Sequence, residues 1–169
     1  MVDALGRLDP VPSTPASFAG VTIALAPPIQ RWSLRGRDPT ALETLLGVEL
    51  PRKIGETLGE VACLGPDEWL WRSVSAAPKD TGAGHPLSVV DISERSVGFV
   101  VEGPAARAVL NAGCPLDLER FAIGRTTRTV YEGVEIILHR ESETRWTVDV
   151  WRSFAEWLWL SLNTAAAHP

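Results

Sequence analysis

The sequence predicts an internally duplicated α+β fold with mostly antiparallel strands and short helices. Three observations carry that reading. The order strand, Gly, Pro, short helix, Gly, Pro occurs twice, with Gly36 and Gly103 set 67 positions apart, and each occurrence is followed by further runs of strand character. A third observation is the stretch from Ser75 to Pro86, which holds Pro78, Gly82, Gly84 and Pro86 and separates the two occurrences. Two similar α+β units of this size suit one pseudo-symmetric domain around a shared core.

In chain order, residues 1–19 read as a flexible arm, because Pro10, Pro12 and Pro15 among Ser and Thr sustain neither a ladder nor a helix. The domain is expected to span 20–164, with halves at about 20–74 and 87–164, a loop at 75–86 and a tail at 165–169. In the first half a strand ending at Leu34 and Arg35 meets Gly36. Asp38-Pro39 then opens a helix that closes at Gly47, since Asp is a good N-cap, Pro fits the first turn and Gly suits the left-handed residue after the last. Strands follow at Gly59 to Leu64 and Trp69 to Val74. In the second half Val97 to Glu102 is a strand, Gly103-Pro104 opens a helix through Leu110, and Gly113-Cys114-Pro115-Leu116 closes it. Strands are predicted over Arg125 to Tyr131, Val134 to His139 and Trp146 to Val150. Ser153 and Glu156 have capping-box spacing, which starts a last helix at about Phe154 and carries it to about Asn163.

Composition narrows the function classes. A hydrophobic fraction of 45% with 22% charged residues belongs to a soluble globular chain, neither disordered nor membrane-spanning. The formal net charge is -5 and the Lys and Arg residues are scattered, so no surface is built to track a row of phosphates and nucleic acid is disfavoured. Met1 to Gly6 carries no basic region followed by an apolar stretch, so a cytoplasmic location is expected. Cys63 and Cys114 are far apart without Cys-x-x-Cys spacing and read as two buried thiols.

Residues able to carry chemistry have structural readings here. His85 falls in the loop, His139 is placed at an exposed turn and His168 lies beside the chain end, none at metal-ligand spacing to another ligand. No Gly-x-Ser-x-Gly or Ser-x-x-Lys occurs, and Ser93 and Ser96 flank Glu94 and Arg95 at a turn. No Gly-x-Gly-x-x-Gly follows a strand. Asp91, Glu102, Asp117 and Glu135 fall near strand ends without partners to push their pKa values apart, so each reads as solvated. No catalytic, cofactor-binding or metal-binding residue is therefore assigned.

Seven Trp against four Phe and one Tyr is the compositional anomaly. In the last helix Phe154, Leu158 and Leu162 form one stripe with Trp157 beside it, while Glu156 and Asn163 mark the opposite side. Trp159 and Leu160 flank that polar line. They are either the edge of the intramolecular contact or a candidate subunit interface.

Three segments, taken in order, resemble the gamma subunit family of heterotetrameric sarcosine oxidase. They are Cys63-Leu64-Gly65-Pro66-Asp67-Glu68-Trp69-Leu70, the stretch from Val90-Asp91-Ile92-Ser93 through Gly103-Pro104-Ala105-Ala106 to Gly113-Cys114-Pro115-Leu116-Asp117-Leu118, and Arg152-Ser153-Phe154-Ala155-Glu156-Trp157-Leu158. Phe121 to Arg128 also looks like the family's stretch before its next strand. The resemblance implies an accessory, non-catalytic chain with the fold of the folate-binding module of the glycine-cleavage T-protein (aminomethyltransferase). Its partners would be two larger subunits and one small one. The complex would demethylate sarcosine to glycine, release hydrogen peroxide and pass the one-carbon unit to tetrahydrofolate, with FAD, FMN, NAD and folate all held on the other subunits. The alternatives are a stand-alone folate-binding or aminomethyltransferase-like protein and a scaffold subunit of another N-methyl amino acid oxidase. Against the first, the T-protein acidic pair is reduced to Glu135, and Asp91-Ile92-Ser93 is followed by Glu94 instead of His.

Overall fold

The computed structural model describes residues 9–74, 78, 84 and 86–168. Eleven strands and three helices occur among them: β1 (Ala16–Phe18), β2 (Val21–Leu25), β3 (Gln30–Gly36), α1 (Pro39–Leu46), β4 (Thr57–Leu58), β5 (Val61–Gly65), β6 (Glu68–Ser73), β7 (Leu87–Asp91), β8 (Ser96–Glu102), α2 (Ala106–Asn111), β9 (Thr126–Tyr131), β10 (Val134–Arg140), β11 (Arg145–Trp151) and α3 (Ala155–Ala167). A six-stranded sheet has the order β1-β2-β8-β11-β10-β9 and a five-stranded sheet the order β4-β5-β6-β3-β7. Every neighbouring pair in both is antiparallel.

The duplication is visible in these orders. The run β4-β5-β6-β3 of one sheet matches β9-β10-β11-β8 of the other, with α1 and α2 inserted at the same point of each chain path. The next strand is exchanged: β7 joins the first half's sheet by pairing with β3, and β2 joins the second half's by pairing with β8. Short links, 26–29 and 92–95, carry the chain from one sheet to the other. The two halves are therefore interleaved, each sheet completed by the other half's leading strand.

Period-two alternation builds the layers. Leu34, Val61, Cys63, Trp69 and Trp71 point from the five-stranded sheet onto Leu42 and Leu46 of α1. Val97, Phe99, Val101, Ile136, Leu138, Trp146 and Val148 point from the six-stranded sheet onto Val109 and Leu110 of α2 and Leu158 and Leu162 of α3. Ala62, Leu70 and Val100, on the opposite faces, are also buried, because the two sheets pack face to face. The layer order is helices, sheet, sheet, helix.

Local chemistry explains α1. Asp38 accepts hydrogen bonds from the Thr40 and Ala41 backbone N–H groups at 2.9 and 3.3 Å, and Gly47 ends the helix at φ 70°. Three expectations need correction. The ladder begins before Gly20, because β1 pairs with β2 across a turn in which Gly20 has φ 78°, and Val11 is buried in the larger core. The prolines stop at Pro15, leaving 16–18 with free N–H groups for pairing. The capping box does not form: Arg152–Phe154 makes a 3-10 turn and Phe154 is the N-cap, with no side-chain hydrogen bond from Ser153. Finally, α3 continues to Ala167, into the segment assigned to the tail, and buries Ala166. Residues 1–8 of the arm, His85 and most of the 75–86 loop lie outside the described residues.

Candidate functional site

Trp159 is 8% exposed and stacks obliquely on Phe99 of β8 at a centroid distance of 5.9 Å. The buried stripe of α3 is Ala155, Leu158, Trp159, Leu162 and Ala166, so the placement of Trp159 beside the polar line is corrected. Trp159 lies four residues after Ala155 and three before Leu162, on that same face. Phe154, assigned to the inner stripe, belongs to the preceding 3-10 turn and is 42% exposed. Leu160 does face outward, 58% exposed, and its carbonyl accepts from Thr164 Oγ1 at 2.9 Å.

The polar residues that the fold does bring together lie between the sheets. Arg31 of β3 donates from Nε and Nη2 to Asp149 Oδ1 of β11, at 3.2 and 2.7 Å, and from Nη1 to the Ile29 carbonyl at 3.2 Å. Both side chains are nearly inaccessible, at 5% and 3%. Asp149 Oδ2 has no hydrogen-bond partner, and Arg72 Nη1 stands 3.8 Å from it, an electrostatic contact too long for a hydrogen bond. Gly98 makes room: a Cβ there would lie 2.8 Å from Arg31 Nη2 and 2.9 Å from Asp149 Oδ1.

A second cross-sheet cluster joins β6 to β9. Glu68 accepts from Arg128 Nη1 and Nη2 at 2.9 and 2.5 Å, and from Arg35 Nη2 at 3.0 Å. The Arg128 guanidinium holds the Glu68 carboxyl below the usual carboxylate range, outweighing the opposing effect of burial. In the third cluster Thr126, fully buried, bridges Thr57 Oγ1 at 2.8 Å and His139 Nδ1 at 2.6 Å. His139 is thus half-buried within β10 and not at an exposed turn, and burial, with the nearby Arg72 charge, pushes it down to about 4. At neutral pH it is an uncharged hydrogen-bonding group.

These clusters neutralise and fix one another. The space between the sheets beside Glu68, Arg128 and Asp149 is about 30 Å3, room for about one or two waters and far below the several hundred Å3 of a ligand pocket. Asp91, Glu102, Asp117 and Glu135 are exposed, and Ser93 closes a turn by receiving the Arg31 N–H and donating its own N–H to Asp91 Oδ1. Cys63 and Cys114 are buried thiols. Among the described residues no three His, Cys, Asp or Glu side chains converge as metal ligands. Sequence reading missed Arg31, Glu68 and Asp149. The available signal was a carboxylate at the centre of the apolar run Trp146-Thr147-Val148-Asp149-Val150-Trp151.

Comparison with known proteins completes the picture. Residues 38–168 match the model of the sarcosine oxidase, gamma subunit family, which takes in all three ordered segments quoted above. The chain belongs to that family. Sarcosine oxidase subunit gamma from Arthrobacter sp. is 34% identical over 124 residues, 64% of this chain and 59% of the relative. The subunit from Corynebacterium sp. strain U-96 is 35% identical over 128 residues, 69% of this chain and 62% of the relative. The chain thus spans about three fifths of the length of these curated relatives. A chain of the heterotetrameric sarcosine oxidase of Corynebacterium sp. U-96, solved in complex with pyrrole 2-carboxylate, superposes with a TM-score of 0.78 at 29% identity, covering 89% of this chain and 86% of that one. The glycine cleavage system aminomethyltransferase T of Bartonella henselae superposes at 0.64 with 15% identity, over 85% of this chain and 45% of that one, which establishes the shared fold. No helix among the described residues is long and apolar enough to cross a membrane.

Proposed function

We propose that this chain is the accessory gamma subunit of a heterotetrameric complex that oxidatively demethylates sarcosine. Its partners are two larger chains and one small one, and the site of action is the cytoplasm. The observation that carries this reading is the superposition along 89% of the chain on a chain of a heterotetrameric sarcosine oxidase, at an identity of 29%. The chemistry belongs to the other subunits: FAD, FMN, NAD and tetrahydrofolate supply the electron and one-carbon steps there. The geometry of this chain supports that division. The buried Arg31–Asp149 pair and the Glu68–Arg128 pair are committed to joining the two sheets. Glu135, the remnant of the acidic pair, is half-exposed and lies 3.5 Å from Arg128.

The role of the chain is then to hold the larger subunits in register. Reconstitution tests it. The four chains together form hydrogen peroxide from sarcosine, omission of this chain lowers the yield of active complex, and the chain alone forms none. Peroxide formation or folate chemistry by the chain alone contradicts the reading.

A further inference from the structure

One feature of the duplication lies on the surface. Ile54-Gly55-Glu56-Thr57 and Ile123-Gly124-Arg125-Thr126 are identical at all but one position and form the same turn before β4 and before β9. Gly55 and Gly124 take φ 89° and 80°. Their N–H groups donate to Cys63 and Arg140 carbonyls at 2.8 and 2.7 Å, and the Cys63 and Arg140 N–H groups return to Glu56 and Arg125 carbonyls at 3.0 and 3.1 Å. The turns sit side by side, since Thr126 N–H donates to the Gly55 carbonyl at 3.0 Å and the equivalent Thr57 and Thr126 hydroxyls bond each other at 2.8 Å. Each turn lifts an isoleucine to 55% exposure, and the two flank a notch of about 360 Å3.

Charge identifies what fits the notch. Arg125 takes the place of Glu56 in the repeat, and its guanidinium lies 5.5 Å from the centre of the buried Phe121 ring and 3.0 Å from where a Gly55 Cβ would stand. Arg125 and Lys53 both line the notch, and among the described residues neither has a carboxylate within ion-pair distance, whereas Arg52 pairs with Glu43 and Arg120 with Asp117. The single acid there, Glu56, accepts the Lys53 backbone N–H at 3.3 Å. A positioned arginine between exposed aliphatic tips on a rigid hydrogen-bonded base has the make-up of an interface centre.

Resting on the gamma-subunit reading above, we propose that the Ile54–Ile123 notch is a docking surface for an acidic segment of a larger subunit, with a carboxylate on Arg125 and apolar side chains between the two isoleucines. A second copy of this chain fits less well: two copies meeting through this face would set four cations against two carboxylates, whereas an acidic segment neutralises the excess.

The test uses the four-chain complex with Ile54→Asp, Ile123→Asp and Arg125→Glu, and Leu160→Asp on α3 for comparison, followed by native mass spectrometry and melting of each isolated chain. The three notch variants are expected to weaken incorporation by roughly 30-fold or more, with melting close to wild type, and Leu160→Asp reads separately the α3 face that the sequence offers as an interface. Ile123→Ser replaces Ile123→Asp if the charge lowers the melting point. Normal incorporation of the notch variants overturns the proposal and leaves the gamma-subunit reading intact. A homodimer of the isolated chain that Ile123→Asp dissolves overturns it in favour of self-association. Failure of the wild-type chain to join any complex overturns both readings.

Discussion

Arg31 and Asp149 stand 118 residues apart in sequence and meet at 2.7 Å between the two sheets, each almost wholly out of water. This pair ties β3 of one repeat to β11 of the other, with Gly98 leaving the space in which it forms. Removing one partner leaves the other charge buried and unpaired. Asp149→Ala is therefore expected to cost about 3–5 kcal/mol in urea unfolding. The double replacement Arg31→Met with Asp149→Leu should recover much of the loss, and Gly98→Ala should also destabilise by pressing on both partners. A small effect of Asp149→Ala would mean that the pair contributes no cohesion between the repeats.

Trp159 belongs to the core of the chain. Trp159→Ala is expected to cost about 3–5 kcal/mol of stability, read as a lower melting temperature of the isolated protein. Loss of assembly with an unchanged melting temperature would instead return Trp159 to the surface role that its sequence position suggests.

His139 gives the stability a pH dependence. Its folded pKa, about 4, lies below the ordinary 6.5, so between those values the unfolded chain binds the proton more readily. Stability due to this group is fully present above about 6.5 and falls as the pH drops toward about 4. His139→Gln, which keeps a hydrogen-bonding side chain beside Thr126, should flatten that part of a melting-temperature profile. Glu68, held low by Arg128, adds stability that is present above the ordinary carboxylate range and lost at more acid pH. An Arg128→Gln variant should lose less on acidification there than the wild type.

Asp38 is the side-chain cap of α1. Asp38→Ala should cost about 1 kcal/mol in denaturant unfolding, while Asp38→Ser should be nearly neutral.

The legible features are those fixed by local chemistry. Asp38, Pro39 and Gly47 name the ends of α1 because capping needs only neighbours, and the spacing of Gly36 and Gly103 reveals the duplication because both sit where a strand turns into a helix. The exchange of β2 and β7 is not legible, since no residue in links 26–29 or 92–95 records which sheet the preceding strand joins. Arg31 and Asp149 are hidden for a similar reason: a lone carboxylate in a strand reads as solvated until its partner arrives from a distant part of the chain. Trp159 is misplaced when the stripe is drawn through Phe154, which the 3-10 turn after Trp151 takes out of the helix, whereas Ala155, Leu158, Leu162 and Ala166 define a face that includes Trp159. The Ile-Gly-x-Thr repeat at 54 and 123 stands in the sequence itself. It gains meaning only when the paired threonines show that the two turns touch.

Co-purification is the most direct measure of the central claim. A tagged copy of this chain, expressed with the three other subunits, should elute in equal stoichiometry with them, with flavin absorbance in the complex and none on the chain purified alone. A chain that stays monomeric in their presence, or that carries flavin or micromolar tetrahydrofolate affinity by itself, would contradict the account.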